Sequence, residues 1–342
     1  MIINYKIRVK LLNRNGKRSR MKNKFIGLDI GGTNIKIAVI DTEGKIATKH
    51  IELINKSNAE TIISQIIEIT ENTITQENDV ASIGIGLPGI IELKTNIMIQ
   101  SPNLPYLENI NLKDIVSNKF KVPVYIDNDV NAAAYAEYKL NPQIVKNNLK
   151  NIIFLAAGTG LGGGIILNGE IWKGSSGFAG ELGHICIDIN GDNCNCGGKG
   201  CIETYVSSTG LIKRLKKHIW RFPNSSLTRI AIEKINPEDI FEAAKNNDAI
   251  AAYVLNEFLE ALAAGIGNLI NIFNPQAFVL GGGILVPNPH IIEAAAKRAK
   301  NYSFRKPYEE CIIIPSYLKN EAGVIGSALG AKNLIETLNL NT

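Results

Sequence analysis

In Lys24 to Ile40, KFIGLDIGGTNIKIAVI, apolar and small residues alternate on both sides of a glycine turn, which predicts two strands joined through Gly31-Gly32-Thr33. The same device recurs at Asn151 to Ile166, NIIFLAAGTGLGGGII, where an apolar strand enters a glycine-rich turn and returns. A third apolar run, Ala277 to Leu280, ends in Gly281-Gly282-Gly283 and follows a long helical pattern, AAYVLNEFLEALAAGIGNLINIF. Three glycine-rich strand ends are thus expected around one shared task.

Between these runs, isoleucines at helical spacing predict a helix over Glu60 to Ile74, and VASIGIGLPG (Val80 to Gly89) reads as a buried strand stopped by Pro-Gly. VPVYIDNDVNAAAYAEYKL (Val122 to Leu140) predicts a strand joined to an alanine-rich helix through Asp127-Asn128-Asp129, residue types that cap helix starts. Small residues over Glu321 to Ile335 suit a helix lying close to another backbone. Asn141 to Lys150 and Arg221 to Asp248 read as linkers or excursions.

A chain of 342 residues suits two lobes with a cleft between them, because one domain usually takes ~100 to 200 residues. With 45% hydrophobic and 20% charged residues it has an ordinary globular composition. The formal charge of +5 is supplied by the N-terminus: residues 1 to 20 hold seven Lys and Arg and no acid, and without them the charge is −2. The basic pI thus reports a tail, either a solvated or misassigned start before Met21 or a basic arm, and excludes an extended basic face for nucleic acid. No uninterrupted apolar run approaches the ~18 residues that span a bilayer, and no signal peptide is legible. A cytoplasmic protein with no membrane partner is expected.

Asp29-Ile-Gly-Gly-Thr-Asn34 is neither a Walker A loop nor a dinucleotide fingerprint, since it opens a strand where those open a helix. Its exposed backbone N–H groups, Thr33 and Asn34 as donors and Lys36 as counter-charge suit a phosphate, and a plain hairpin turn is the alternative. Gly158-Thr159-Gly160 forms a second turn of like chemistry, and two such turns facing one another can hold a polyphosphate. Cys194, Cys196 and Cys201 lie in a glycine-rich loop, with His184 the nearby histidine. One nitrogen and three sulfur donors suit tetrahedral zinc, against unliganded loop thiols. Disulfides do not fit a reducing cytosol, and iron–sulfur clusters call for four thiolates. Cys186 and Cys311 lie in apolar runs and read as buried free thiols. A metal-pinned loop would bring Glu181 and Glu203 together, although each alone reads as a surface residue; Asn103, between prolines, reads as a turn residue.

Taken together, DIGGT (29–33), GIGLPG (84–89), PNL (102–104), IDNDVNAAA (126–134), GTGLGGG (158–164), GxAGExGH (177–184), CxCGxxGCxE (194–203) and NPxxxVLGGG (274–283) resemble the ROK family of sugar kinases and repressors. The likeness runs from about Lys24 to the end, and the cysteine signature is its most specific part. It implies an α/β actin-like ATPase (ribonuclease H-like) fold, with a small lobe over 25–128 completed by a helix at about 321–337, and a large lobe over 129–320 bearing the zinc loop. Residues 1–24 form a basic extension outside the family pattern.

The resemblance also implies an ATP-dependent kinase acting on the 6-hydroxyl of a hexose, glucose foremost, with an N-acetylhexosamine kinase or fructokinase as alternatives. It assigns Asp129 as general base and Gly89, Asn103, Asn128, Asp129, Glu181, His184 and Glu203 to the sugar. ATP, with Mg²⁺, falls to Asp29, Gly31, Gly32, Thr33, Asn34, Lys36, Gly158, Thr159, Gly160, Gly282 and Gly283. Structural Zn²⁺ falls to His184, Cys194, Cys196 and Cys201, with one His184 nitrogen on the metal and the other on the sugar. Ala156-Ala157 stand where many relatives carry a hydroxyl residue, so one ATP contact is expected to be missing. Relatives are commonly dimers or tetramers. A sugar-responsive repressor is the alternative of a different class, and about 24 residues before the first strand are too few for the helix-turn-helix domain it needs.

Overall fold

The computed structural model describes residues 23–340; the basic tail therefore lies outside the described residues. The first part of the chain forms β1 (Lys24–Ile30), β2 (Asn34–Ile40), β3 (Ile46–Leu53), α1 (Ala59–Glu77), β4 (Val80–Leu87), the short hairpin β5 (Ile90–Ile91) and β6 (Met98–Gln100), α2 (Leu112–Phe120) and β7 (Val124–Asn128). It continues through α3 (Asp129–Leu140), α4 (Pro142–Lys146), β8 (Ile152–Ala157), β9 (Leu161–Leu167), β10 (Glu170–Ile171), α5 (Ser208–His218) and α6 (Pro237–Lys245). The last elements are α7 (Ala249–Phe273), β11 (Ala277–Gly281), α8 (Pro289–Ala299), α9 (Arg305–Glu310), β12 (Ile312–Pro315) and α10 (Ala322–Leu340).

Two five-stranded sheets organise the chain, in the orders β3-β2-β1-β4-β7 and β10-β9-β8-β11-β12. Each starts with an antiparallel hairpin and adds parallel strands on the hairpin's first strand. Side chains alternate across a sheet, and both faces of each sheet carry buried residues. On β1, Ile26, Leu28 and Ile30 join α1 and α2 in one core, while Phe25 faces the other way. On β8, Ile153 and Leu155 pack with α5, α6, α7 and α8, while Ile152 and Phe154 face Phe25 across the molecule. Helices α3 and α10 fill the middle layer between the sheets.

Small residues make that middle layer possible. A Cβ on Gly84 would lie 1.8 Å from the Ser327 carbonyl oxygen, and one on Gly27 2.0 Å from that of Val324, so α10 rests directly on the backbones of β4 and β1. Ser82, on the same face of β4, donates its hydroxyl to the Ala331 carbonyl at 2.9 Å. Likewise Gly162 and Gly164 of β9 leave room for Val130 and Ala134 of α3. Asp29 shares the Gly27 face of β1 and so points toward the middle layer.

The two expected excursions are ordered and packed. Residues 141–150 contain α4, which buries Ile144, and 221–248 contain α6, which buries Ile240 and Phe241 against α7. The polar composition that suggests linkers supplies caps instead: Asn236 and Asp239 form a reciprocal capping box, and Asp248 caps α7. Helix α7 is the one described helix long and apolar enough to cross a membrane by composition. Its apolar residues, Phe258, Leu262 and Ile266 among them, are core residues of the second sheet's outer layer.

A candidate active site where the two sheets meet

The chain turns from β7 into α3 at the centre of the molecule. Asn128 is the helix cap: its Oδ1 accepts the N–H groups of Val130 and Asn131 at 2.8 and 3.1 Å, and its Nδ2 donates to the Gly89 carbonyl at 3.1 Å. Gly89 has φ +133, and a Cβ there would lie 2.3 Å from the Gln100 carbonyl oxygen, so only glycine closes this turn. Asp129 is the first residue of α3 and packs between the sheets, with its Cα against Gly86 of β4 and its neighbour Val130 against Gly162 of β9.

Burial pushes the Asp129 carboxyl up to about 7, the negative charge of Asp29 adds to this, and Glu181 contributes last; backbone N–H groups at the helix start pull it down. Asp129 is partly accessible to solvent. A carboxyl poised near neutrality at a helix start is suited to accepting a proton.

On the first sheet, the Gly31 N–H donates to the Asn34 carbonyl at 2.9 Å and closes the turn after β1. The Thr33 carbonyl accepts from Ile54 at 3.0 Å. Gly32 abuts Asn103, whose Cβ would stand 3.3 Å from a Cβ on Gly32, and Asn103 itself is exposed. Lys36, expected as a free counter-charge, is engaged: its ammonium lies 3.0 Å from Asp29 Oδ2 and 3.1 Å from the Asn320 carbonyl. Residues 29 and 36 are cross-strand partners on β1 and β2, which explains the pairing.

On the second sheet, Gly158 N–H donates to the Gly160 carbonyl at 2.9 Å, and the Thr159 carbonyl accepts from the Thr209 hydroxyl at 2.9 Å. Gly282 has φ +90 and presses on Ala157, where a Cβ would lie 2.3 Å from the carbonyl oxygen; Gly283 has open space around it. Two of the three glycine-rich strand ends therefore adjoin at the C-terminal edge formed by the neighbouring central strands β8 and β11 of the second sheet, while the first belongs to the other sheet.

Glu203 ties this edge to the cysteine loop. Its Oε2 accepts the Leu161 N–H at 2.8 Å, and its Oε1 lies 3.9 Å from Cys194 Sγ. Glu181 lies beside His184, 3.8 Å from Nε2, and its carboxyl is raised by burial, lowered by His184 and raised by Glu203.

The donor atoms of His184, Cys194, Cys196 and Cys201 all lie within 4.8 Å of one another. Cys196 and Cys201 Sγ are 3.7 Å apart, and His184 Nδ1 is 3.6 Å from Cys194 Sγ. Two thiolates at 2.3 Å from a tetrahedral zinc would be about 3.8 Å apart, so the residues present fit such an ion. The loop is turned by Gly197 and Gly200 at positive φ, and a Cβ on Gly200 would fall 1.7 Å from the Asp188 carbonyl oxygen.

Two features carry no sequence signal. Buried Arg214 braces the loop from α5, with Nη1 3.5 Å from Asp192, Nε donating to Glu257 at 2.7 Å, and its guanidinium 4.3 Å from the Tyr205 ring centroid. Asp127, read as a capping residue, is ion-paired with Lys173 at 2.7 Å. Cys186 corrects an expectation: it is exposed, in an isolated β-bridge with the buried Cys201 rather than in a core strand, whereas Cys311 is buried as expected.

Residues 25–333 match the ROK family. A glucokinase from Halalkalibacterium halodurans is 33% identical over 311 residues, covering 88% of this chain and 93% of that protein. A xylose repressor from Caldicellulosiruptor bescii is 30% identical over 308 residues, covering 88% of this chain and 76% of the repressor. The crystal structure of a ROK family glucokinase from Streptomyces griseus in complex with glucose and AMPPNP matches at TM-score 0.78 and 30% identity, covering 91% of this chain and 99% of that one. The architecture of paired sheets around a middle helical layer is the actin-like ATPase fold of these structures, and this chain belongs to the ROK family.

Proposed function

We propose that this protein is an ATP-dependent hexose kinase that phosphorylates the 6-hydroxyl, with glucose the first candidate substrate. The observation that carries the reading is Asp129, a carboxyl at the start of α3 between the two sheets, held near neutrality by burial and by the charges of Asp29 on β1 and Glu181 in the loop after β10. Phosphoryl transfer asks little covalent chemistry of the protein, so alignment and charge placement supply the rate. Asp129 accepts the proton of the sugar hydroxyl as that oxygen attacks the γ-phosphorus of ATP and the bond to the β,γ-bridging oxygen breaks, releasing ADP. Asn103, Asn128, Gly89, Glu181, His184 Nε2 and Glu203 surround the sugar, and each buried polar group left unpaired penalises the wrong hexose.

The glycine turns at 29–36 and 158–160, with Gly282 and Gly283, hold ATP as its Mg²⁺ complex. Lys36 acts in this scheme through Asp29, which it partly neutralises. A zinc ion held by His184 Nδ1, Cys194, Cys196 and Cys201 would fix the imidazole tautomer and the direction of Nε2. The exposed Trp220, Ile272 and Phe304 support assembly of copies into a dimer or tetramer. Three closely spaced thiols suited to a metal support a reducing, cytoplasmic setting.

An N-acetylmannosamine, N-acetylglucosamine or fructose kinase is the alternative within the class, and similarity to a xylose repressor favours a sugar-sensing module as the alternative outside it. A coupled assay with ATP and Mg²⁺ across glucose, mannose, fructose and the N-acetylated hexosamines decides. Turnover fastest on glucose supports the reading, whereas sugar binding without turnover on any of them leaves the sensor.

A further inference from the structure

Lys173 follows β10 at the edge of the second sheet, and its ammonium reaches Oδ2 of Asp127 on β7 of the first sheet at 2.7 Å. These two segments lead into opposite halves of the site. Beyond Lys173 the chain runs to Glu181 and His184; beyond Asp127 come Asn128 and Asp129. Asp127 is 4% exposed, and both its oxygens are occupied. Oδ2 also accepts the Tyr125 hydroxyl, while Oδ1 accepts the Asn128 N–H at 2.8 Å and Asn131 Nδ2 at 3.3 Å. A shift of Asp127 therefore passes to Asn128, which caps α3, and so to Asp129.

The Lys173 segment is docked as firmly. Its carbonyl accepts the Ala179 N–H at 3.2 Å, the Ser176 carbonyl accepts from Leu93 of the first-sheet side at 3.1 Å, and the ammonium lies 5.5 Å from the Tyr125 ring centroid. Independently, the buried Oδ1 of Asn131 has no hydrogen-bond partner and faces Gly180, where a Cβ would lie 3.5 Å away. Both Asp127 and Asn131 thus address the loop that carries Glu181.

We propose that Lys173 and Asp127 are a positioning pair that couples the seating of the Glu181–His184 loop to the orientation of Asp129. The proposal rests on the kinase reading above. Neither residue touches the reacting atoms; the buried carboxylate has hydrogen bonds from its own side but gains a counter-charge only when the loop is seated, so one arrangement of the two segments is selected.

The test compares Lys173→Met, Lys173→Arg and the double variant Asp127→Asn/Lys173→Met with the wild type. Lys173→Met is expected to lower kcat about 100-fold and, by loosening the Glu181–His184 loop, to weaken calorimetric glucose binding about tenfold, and Lys173→Arg to recover most of both. Titration of the Asp129 carboxyl by carbon NMR, which needs no turnover, should move upward in Lys173→Met, since Asp127 has lost its counter-charge. In the double variant it should return to the wild-type position with kcat still low. An Asp129 titration unmoved by Lys173→Met, or a double variant with full kcat, overturns the pairing. If Lys173→Met does not fold, the double variant decides alone. Absence of sugar turnover in the wild type would overturn the kinase reading and leave the NMR result to judge the pair.

Discussion

His184 Nδ1 lies 3.6 Å from Cys194 Sγ, and the same ring holds Nε2 3.8 Å from the Glu181 carboxylate. The imidazole therefore joins the cysteine cluster to Glu181, a residue of the proposed sugar site. Metal analysis of the purified protein should find about one zinc per chain, the four-donor set being complete. Cys196→Ser should lose most of that zinc and weaken glucose binding at least about tenfold, as expected when a metal's neighbours lose their orientation. Wild-type protein without zinc, or a Cys196→Ser variant with unchanged sugar affinity, would refute the link.

Asp129→Asn removes the proton acceptor and keeps the side chain's size. Turnover should fall by about 100- to 10,000-fold, the usual contribution of a general base, with sugar Kd within about tenfold of wild type. Single-turnover kinetics alongside calorimetry separate the two quantities. Substantial residual kcat would remove Asp129 from the chemistry.

The same carboxyl sets a pH dependence. Held up to about 7, first by burial and then by Asp29, it takes up a proton in acid, which under the proposed base role stops turnover. The kcat/KM should fall on the acid side of about pH 7, approaching tenfold per unit. Stability moves the other way. A carboxyl raised above its unfolded value favours the fold while protonated, and that advantage is lost as pH rises from about 4 through about 7. Asp129→Asn should accordingly raise Tm more at pH 8 than at pH 4.5. A flat rate profile between pH 5.5 and 8 would contradict the assignment.

Much of this arrangement is legible in the chain because it depends on short-range chemistry. The glycine hairpins at 31–33 and 158–160 are written in their own turn residues, and Asn128 stands where a helix cap is needed. The His184 and cysteine set is legible because tetrahedral donors gather within one loop. The Asp127–Lys173 pair is not, since 46 residues separate partners brought together by the packing of two sheets. Lys36 has the right charge for phosphate, but its register opposite Asp29 gives it a nearer partner. Cys186 has apolar neighbours in sequence, yet it lies outside the two five-stranded sheets and is exposed.

The middle layer offers a test of the fold independent of any ligand. Gly326 of α10 lies so close to α3 that a Cβ would fall 1.8 Å from the Ala132 carbonyl oxygen. Backbone on both sides leaves no flexible side chain to yield, so α10 must move off α3. That shift would disturb the start of α3 and the seating of α10 on Gly84 and Gly27 together. Gly326→Ala should cost about 3 kcal/mol or more of stability, against a gain expected for Gly→Ala in an open helix. Asn333→Ala, on the exposed face of the same helix, should stay within about 0.5 kcal/mol. Denaturant unfolding of the two variants checks this, and a Gly326→Ala protein as stable as wild type would show that α3 and α10 do not approach as closely as the glycines require.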